Sequence, residues 1–187
     1  MSAAWQILYY AWVLSEIWIA IATRTRSGKG QIRDRGTFLL LWLVIVSSLT
    51  IGIWFGEVSL AGRIPHAQWM RITSLVLLIF GLALRWCAIL SLGRAFSSNV
   101  AIRDAQRVRT TGLYRWMRHP SYTGLILLFI AIGFHTRNWI AFLIVVVPPT
   151  FMLLRRIHVE EIALREHFGN EYIDYSRKTS RLIPGIY

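Results

Sequence analysis

Cysteine and acidic side chains are both scarce in this chain. Cys87 is the single cysteine, so no disulfide can form within it. The five histidines show no H-x-x-x-H spacing and no C-x-x-C pair accompanies them, so no metal site is expected. Only nine Asp and Glu stand against 21 Lys and Arg, a net charge of +12. A dinucleotide-type phosphate loop is absent as well, because Gly28-Lys29-Gly30 sits in a basic loop with no strand before it and no third glycine. No repeat or low-complexity tract appears, and one membrane-embedded domain over residues 1–187 is the simplest organisation.

What is abundant is apolar surface. Of 187 residues 55% are hydrophobic, nine are Trp, and the mean hydropathy is +0.48, values that fit an integral membrane protein rather than a small soluble domain. The positive charge is clustered, with five basic residues in 24–35, six in 94–118 and six in 155–181. These clusters alternate with apolar runs and can all lie on the cytoplasmic side of a bilayer. That placement disfavours nucleic acid and favours anionic lipid headgroups or an anionic ligand.

Residues 4–23, 37–56 and 70–92 are each long enough to cross a hydrocarbon core. The runs 120–134 and 139–154 are shorter and are separated by the polar turn His135-Thr136-Arg137-Asn138, which predicts a short helical hairpin. About five membrane helices follow, all α, with the N-terminus outside and a cytoplasmic C-terminal helix after residue 154. Pro148-Pro149 is expected to kink the last span. The first run has no positive charge before it and five after, so it reads as a retained helix and not a signal peptide.

Three groups of residues carry chemistry. In Gly112-Leu113-Tyr114-Arg115-Trp116-Met117-Arg118-His119-Pro120-Ser121-Tyr122-Thr123-Gly124, Pro120 suits the first turn of a helix, which brings Arg118, His119 and free backbone N–H groups to one helix end. Arg156 and Glu160 are four apart and share a helix face; they form either an interfacial salt bridge or a clamp for a carboxylate beside an acid for a cationic group. Glu16 and Arg85 lie at equal depth in the first and third spans; either they pair, since isolated charges there are costly, or Arg85 snorkels to the interface. Gly52-Ile53-Trp54-Phe55-Gly56 is read as a site of close helix packing.

The order Gly112-x-Tyr114, Arg118-His119-Pro120-x-Tyr122-x-Gly124, Arg156-x-x-x-Glu160-Glu161 and Phe168-Gly169-x-Glu171-Tyr172-x-x-Tyr175 resembles the isoprenylcysteine carboxyl methyltransferases and their prokaryotic relatives. Phospholipid methyltransferases share part of it. The resemblance covers about residues 92–187, making 93–187 the cofactor-binding and catalytic half. It implies S-adenosyl-L-methionine as cofactor and an active site facing the cytoplasm. Carried over residue by residue, it nominates Gln106, Val108, Arg109, Tyr114, His119, Pro120, Ser121, Tyr122 and Glu160 for the cofactor, Arg156 for the substrate, and Arg156 with Glu160 for catalysis. Relatives usually show His-x-Leu-Val before the Gly-x-Tyr motif, where this chain has Gln106-Arg107-Val108-Arg109.

The implied reaction is a carboxyl O-methylation of a prenylcysteine-like, lipophilic acceptor, with the protein a monomer in contact with membrane lipid. A carboxylate nucleophile needs orientation and partial desolvation and no general base. An amine acceptor, as in a phospholipid N-methyltransferase, needs a base, for which His119 and Glu161 are the candidates. Two other readings stay open. Arg181-Leu182-Ile183-Pro184-Gly185-Ile186-Tyr187 fits the ending of NADPH-dependent membrane sterol reductases, and a non-catalytic lipid-binding scaffold has the same gross composition.

Overall fold

The computed structural model describes residues 3–23, 31–32, 36–65, 67–97, 101–102 and 107–187. Six helices make up most of them: α1 (Ala3–Ala22), α2 (Thr37–Val58), α3 (Gln68–Leu92), α4 (Pro120–Thr136), α5 (Trp139–Phe168) and α6 (Asn170–Lys178). Two-residue strands β1 (Gln31–Ile32) and β2 (Ala101–Ile102) pair antiparallel, tying the segment before α2 to the one after α3. Helices α1, α2, α3 and α5 are long and apolar enough to cross a membrane, and α4 is a shorter apolar helix of 17 residues. Large hydrophobic side chains such as Leu43 and Trp54 on α2 and Ile72 and Val76 on α3 point outward. In an apolar solvent they lose nothing by exposure, whereas the backbone polar groups must be satisfied within the helices.

Small residues bring the helices together. A Cβ at Gly52 would lie 2.5 Å from Val145 Cγ2 on α5, and one at Gly56 would lie 2.9 Å from Thr136 Cβ on α4. The glycine pair on α2 therefore packs within the chain. A Cβ at Gly124 would meet the Gly81 carbonyl oxygen and the Arg85 amide nitrogen at 2.9 Å, so α3 and α4 touch backbone to backbone. Without a hydrophobic drive between helices in lipid, such close van der Waals contact is a main source of association.

Buried polar groups fix the remaining geometry. The Glu16 carboxylate takes both Nε and Nη2 of Arg85, with 2.6 Å at Oε2, and Trp12 Nε1 donates to Glu16 Oε1 at 3.2 Å. Arg85 Nη1 also donates to Ser121 Oγ at 2.6 Å, so this expected intramembrane pair joins α1, α3 and α4. At the opposite end Asn138 caps α5, its Oδ1 accepting from the Ile140 and Ala141 amides, while its Nδ2 donates to the Ala61 carbonyl at 2.8 Å. One side chain thus holds the α2–α3 loop against the α4–α5 turn.

The expected hairpin needs one correction. Its second arm is not a short helix of 139–154 followed by a separate cytoplasmic one; α5 runs unbroken for 30 residues through Pro148 and Pro149. Its length of roughly 45 Å exceeds a hydrocarbon core of about 30 Å. The prolines forgo two intrahelical donors, yet Pro149 is buried among neighbouring side chains and the strong helix formers Met152, Leu153 and Leu154 follow. The surplus length carries Arg156, Glu160 and Glu161 beyond the midplane to the end where α3 finishes and α4 begins.

Candidate functional site

At that end the segment before α4 makes a 3-10 turn over Gly112–Arg115 and then runs beside the C-terminal residues. Arg118 and His119 donate their backbone N–H groups to the Ser180 and Arg181 carbonyls at 2.8 and 3.0 Å. Pro120 occupies the first position of α4, where its missing N–H costs no hydrogen bond. Glu161, 2% exposed, is the hub beneath. Its oxygens accept from Arg118 Nε at 2.9 Å and Arg181 Nε at 3.1 Å, with Arg165 at 3.6 Å and His119 Nε2 at 3.4 Å. Arg118 Nη1 also donates to the Ser176 carbonyl at 2.7 Å and to the Thr179 carbonyl, closing the C-terminal end of α6.

Two cavities open above this base and share a wall. The first is a cleft of about 910 Å³ counting its mouth, walled by the end of α3, residues 107–109, the start of α4, the surplus length of α5, and α6. The second, about 1080 Å³ on the same measure, lies between α1 and α2, is closed by Arg85, Tyr122, Leu125 and Arg156, and is faced mainly by apolar side chains such as Ile17, Leu41, Ile45 and Leu49. Phe96, Ser97 and Tyr122 line both. Glu160 lines only the cleft and Arg156 only the apolar cavity.

Tyr122 is the link between them. Its hydroxyl donates to Glu160 Oε2 at 2.8 Å and accepts from Arg156 Nε at 3.1 Å. Arg156 is 2% exposed, and its guanidinium lies 5.8 Å from the Phe38 ring centroid. A cation is therefore presented to an apolar chamber and a carboxylate to a polar cleft, coupled through one hydroxyl. Arg156 and Glu160, four apart on one helix, therefore face different cavities.

Among the other nominated residues, Val108, Arg109, Tyr114, His119, Ser121 and Tyr122 line the cleft. Ser121 is there with its hydroxyl already bonded to Arg85, and the His119 ring stacks on Tyr122 at 5.7 Å. Pro120 is fully buried and absent from the cleft wall, because the first turn of α4 packs it inward. Gln106 lies outside the described residues. Glu161, offered as a base for an amine acceptor, lines neither cavity, since Arg118 and Arg181 saturate its oxygens.

Sequence reasoning missed Phe96, Arg107, Phe168, Tyr172 and Tyr175, which also line the cleft. The last three stand in the quoted Phe168-to-Tyr175 motif, and that was the available signal. The Tyr172 hydroxyl is buried with no protein partner, whereas Tyr175 donates to the Tyr114 carbonyl at 2.7 Å. Burial raises the Tyr114 and Tyr172 phenols, with nearby Glu160 and Glu161 adding to the effect, and pushes Tyr175 up to about 12. These hydroxyls are hydrogen-bond donors across the physiological range and do not act as ionised bases.

Residues 74–166 match the isoprenylcysteine carboxyl methyltransferase (ICMT) family. A protein-S-isoprenylcysteine O-methyltransferase of Xenopus laevis is 29% identical over 132 residues, covering 70% of this chain and 46% of that protein. Protein-S-isoprenylcysteine O-methyltransferase B of Arabidopsis thaliana is 30% identical over 135 residues, covering 71% and 68%. The solved structure of the eukaryotic intramembrane Ras methyltransferase ICMT superimposes with a TM-score of 0.60 at 25% identity, over 81% of this chain and 53% of that one. The chain spans about half the length of the Xenopus protein and of the solved structure.

Proposed function

This chain belongs to the isoprenylcysteine carboxyl methyltransferase family, and we propose that it uses S-adenosyl-L-methionine to methylate the carboxylate of a lipophilic, prenylcysteine-like acceptor at the cytoplasmic face of the membrane. The observation that carries this reading is the Tyr122 hydroxyl, held between an arginine in an apolar cavity and a glutamate in a polar cleft.

The cleft suits S-adenosyl-L-methionine by its chemistry. Phe96, Tyr114 and Phe168 offer flat walls for an adenine, Glu160 offers an acceptor for an ammonium, Arg107 and Arg109 offer cations for a carboxylate, and the unpartnered Tyr172 hydroxyl is a buried donor that needs an acceptor. When bound, the group would supply an electrophilic methyl on a sulfonium; a carboxylate oxygen would form the new C–O bond as the C–S bond breaks and its electron pair returns to sulfur, with no proton to remove.

The chain's own residues then have three tasks. Arg156 binds the acceptor carboxylate, its fork oriented by the bond from Nε to Tyr122 and its charge strengthened by the apolar surroundings. The apolar cavity between α1 and α2 takes the isoprenoid chain and excludes water from the carboxylate, which raises its reactivity. Tyr122 and Glu160 form the boundary where the two ligands meet, and the bond between them sets the register of one against the other. His119 and Glu161 act as the packed base that positions the start of α4.

The test is calorimetric titration of the detergent-purified protein with S-adenosyl-L-methionine, with NADPH as comparison ligand, followed by an assay for base-labile methyl ester on farnesylated cysteine. Binding of S-adenosyl-L-methionine that is weakened at least tenfold in Glu160→Ala, together with ester formation abolished in Arg156→Ala, is expected. Binding of NADPH instead would overturn the reading.

A further inference from the structure

A third cavity, which the proposed reaction does not use, lies at the end of the molecule away from the cleft and shares Tyr9 with the apolar cavity. It lies among the start of α1, the end of α2, the start of α3 and the end of α4, and encloses about 1830 Å³ counting its mouth. From Arg71 at this end to Leu92 at the cleft, α3 rises roughly 32 Å, about the thickness of a hydrocarbon core. The cavity and the cleft therefore face opposite sides of the membrane.

Its charge is anomalous for that side. Apart from Arg85, which pairs with Glu16 inside the membrane, the lysines and arginines outside the three basic clusters are Arg63, Arg71 and Arg137. All three line this one cavity. Glu57 is the only carboxylate on its wall, and among the described residues no carboxylate forms an ion pair with any of the three arginines. The positive-inside pattern leaves no reason for basic residues here. Three guanidiniums gathered in one recess between helices, against the single carboxylate of Glu57, present a site for an external anion.

The rest of the wall says what else the anion carries. Ile53, Leu75 and Ile132 line the side toward the membrane interior, and Trp5, Tyr9 and Tyr10 line the side given by α1. The His135 ring stacks on Trp5 at 3.7 Å, and Trp5 Nε1 is held by Ser74 Oγ at 2.8 Å, so the aromatic wall is anchored. The His135 Nδ1 atom is buried without a hydrogen-bond partner. A recess that is cationic at its rim and apolar and aromatic in its depth suits an amphiphile whose head is an anion and whose tail continues into the bilayer. Guanidinium forks match phosphate oxygens in geometry as well as charge.

We propose that this cavity binds a phosphate-bearing anion through Arg63, Arg71 and Arg137, the phosphate being that of an anionic lipid whose chain lies along Ile53, Leu75 and Ile132. The site lies about a membrane thickness from the cleft, so its occupancy is independent of whether the chain methylates anything.

Native mass spectrometry of the full chain in detergent, titrated with phosphatidylglycerol, phosphatidylcholine or inorganic phosphate, tests it. Wild type is expected to retain one phosphatidylglycerol in preference to phosphatidylcholine, with retention at least tenfold weaker in the Arg71→Gln/Arg137→Gln double variant and largely kept in Arg71→Lys/Arg137→Lys. Competition by millimolar inorganic phosphate would show that the site also takes soluble phosphate; its absence would restrict the site to the lipid headgroup. Equal retention in the glutamine variant, or no preference over phosphatidylcholine, overturns the proposal. A second readout needs no variant. A photoactivatable phosphatidylglycerol should cross-link wild type at peptides around Trp5–Tyr10 and Ile72–Leu75, and cross-links confined to the cleft end would equally overturn it.

Discussion

Tyr122 stands between two buried or half-buried charges, and its single hydroxyl satisfies both by donating to Glu160 and accepting from Arg156. Removing it takes one hydrogen bond from each ion. Hydrogen bonds to charged groups contribute about 1.5–3 kcal/mol. Tyr122→Phe is therefore expected to lower methyl transfer roughly 10- to 100-fold while S-adenosyl-L-methionine affinity falls by only a few fold, because the cleft walls remain. Turnover and calorimetric affinity measured on one preparation check this; turnover equal to wild type would count against a coupling role for the hydroxyl. Arg156 and Glu160 were legible as a pair from their spacing of four. That they face different cavities was not, because spacing along one helix says nothing of what packs on either flank.

At the scale of elements, the crossing of α3 and α4 sets the depth of the whole site. The two helices approach through Gly81 and Gly124, and the Arg85 bond to Ser121 lies within one turn of that contact. Gly124→Ala places a methyl 2.9 Å from backbone atoms of Gly81 and Arg85, which cannot move aside as a side chain would. A loss of about 1–3 kcal/mol of stability is expected from such overpacking, seen as a lower melting temperature in detergent with reduced cofactor affinity, since the cleft shares these helices. An unchanged melting temperature would show that the helices can separate freely. The spans α1, α2 and α3 were readable from hydropathy to within two residues at each end. The continuity of α5 was not, because Pro148-Pro149 and the fall in hydropathy after residue 154 both signal an end. Packing on neighbouring helices outweighed those local signals.

The whole molecule is polarised. The cleft, Glu161 with its guanidiniums and the C-terminal segment lie at one end, and the third cavity lies at the other. The proposed orientation, with the basic clusters at the cytoplasmic face, puts the loop after α2 outside and α6 inside. In a Cys87→Ser background, Leu60→Cys is expected to react with a membrane-impermeant maleimide on intact cells, and Arg177→Cys only after permeabilisation. The reverse pattern would invert the orientation and place the cleft outside. Glu161 illustrates why this polarity is stable. Its partners Arg118 and Arg181 come from the segment before α4 and from the C-terminal residues, so one carboxylate ties both to α5.

The sequence by itself determined the membrane class, the long spans and the motif residues that gather at one end, because hydropathy and residue spacing are local quantities; it raised the Glu16–Arg85 pair as one of two options, and the structure chose it. Tertiary structure alone decided that Tyr122 joins Arg156 to Glu160, that Glu161 is buried between Arg118 and Arg181, that Tyr172 and Phe168 wall the cleft, and that three scattered arginines share one cavity. Each of these depends on contacts between segments far apart in the chain. Such contacts are set by helix packing, to which composition and periodicity contribute only a face and a length.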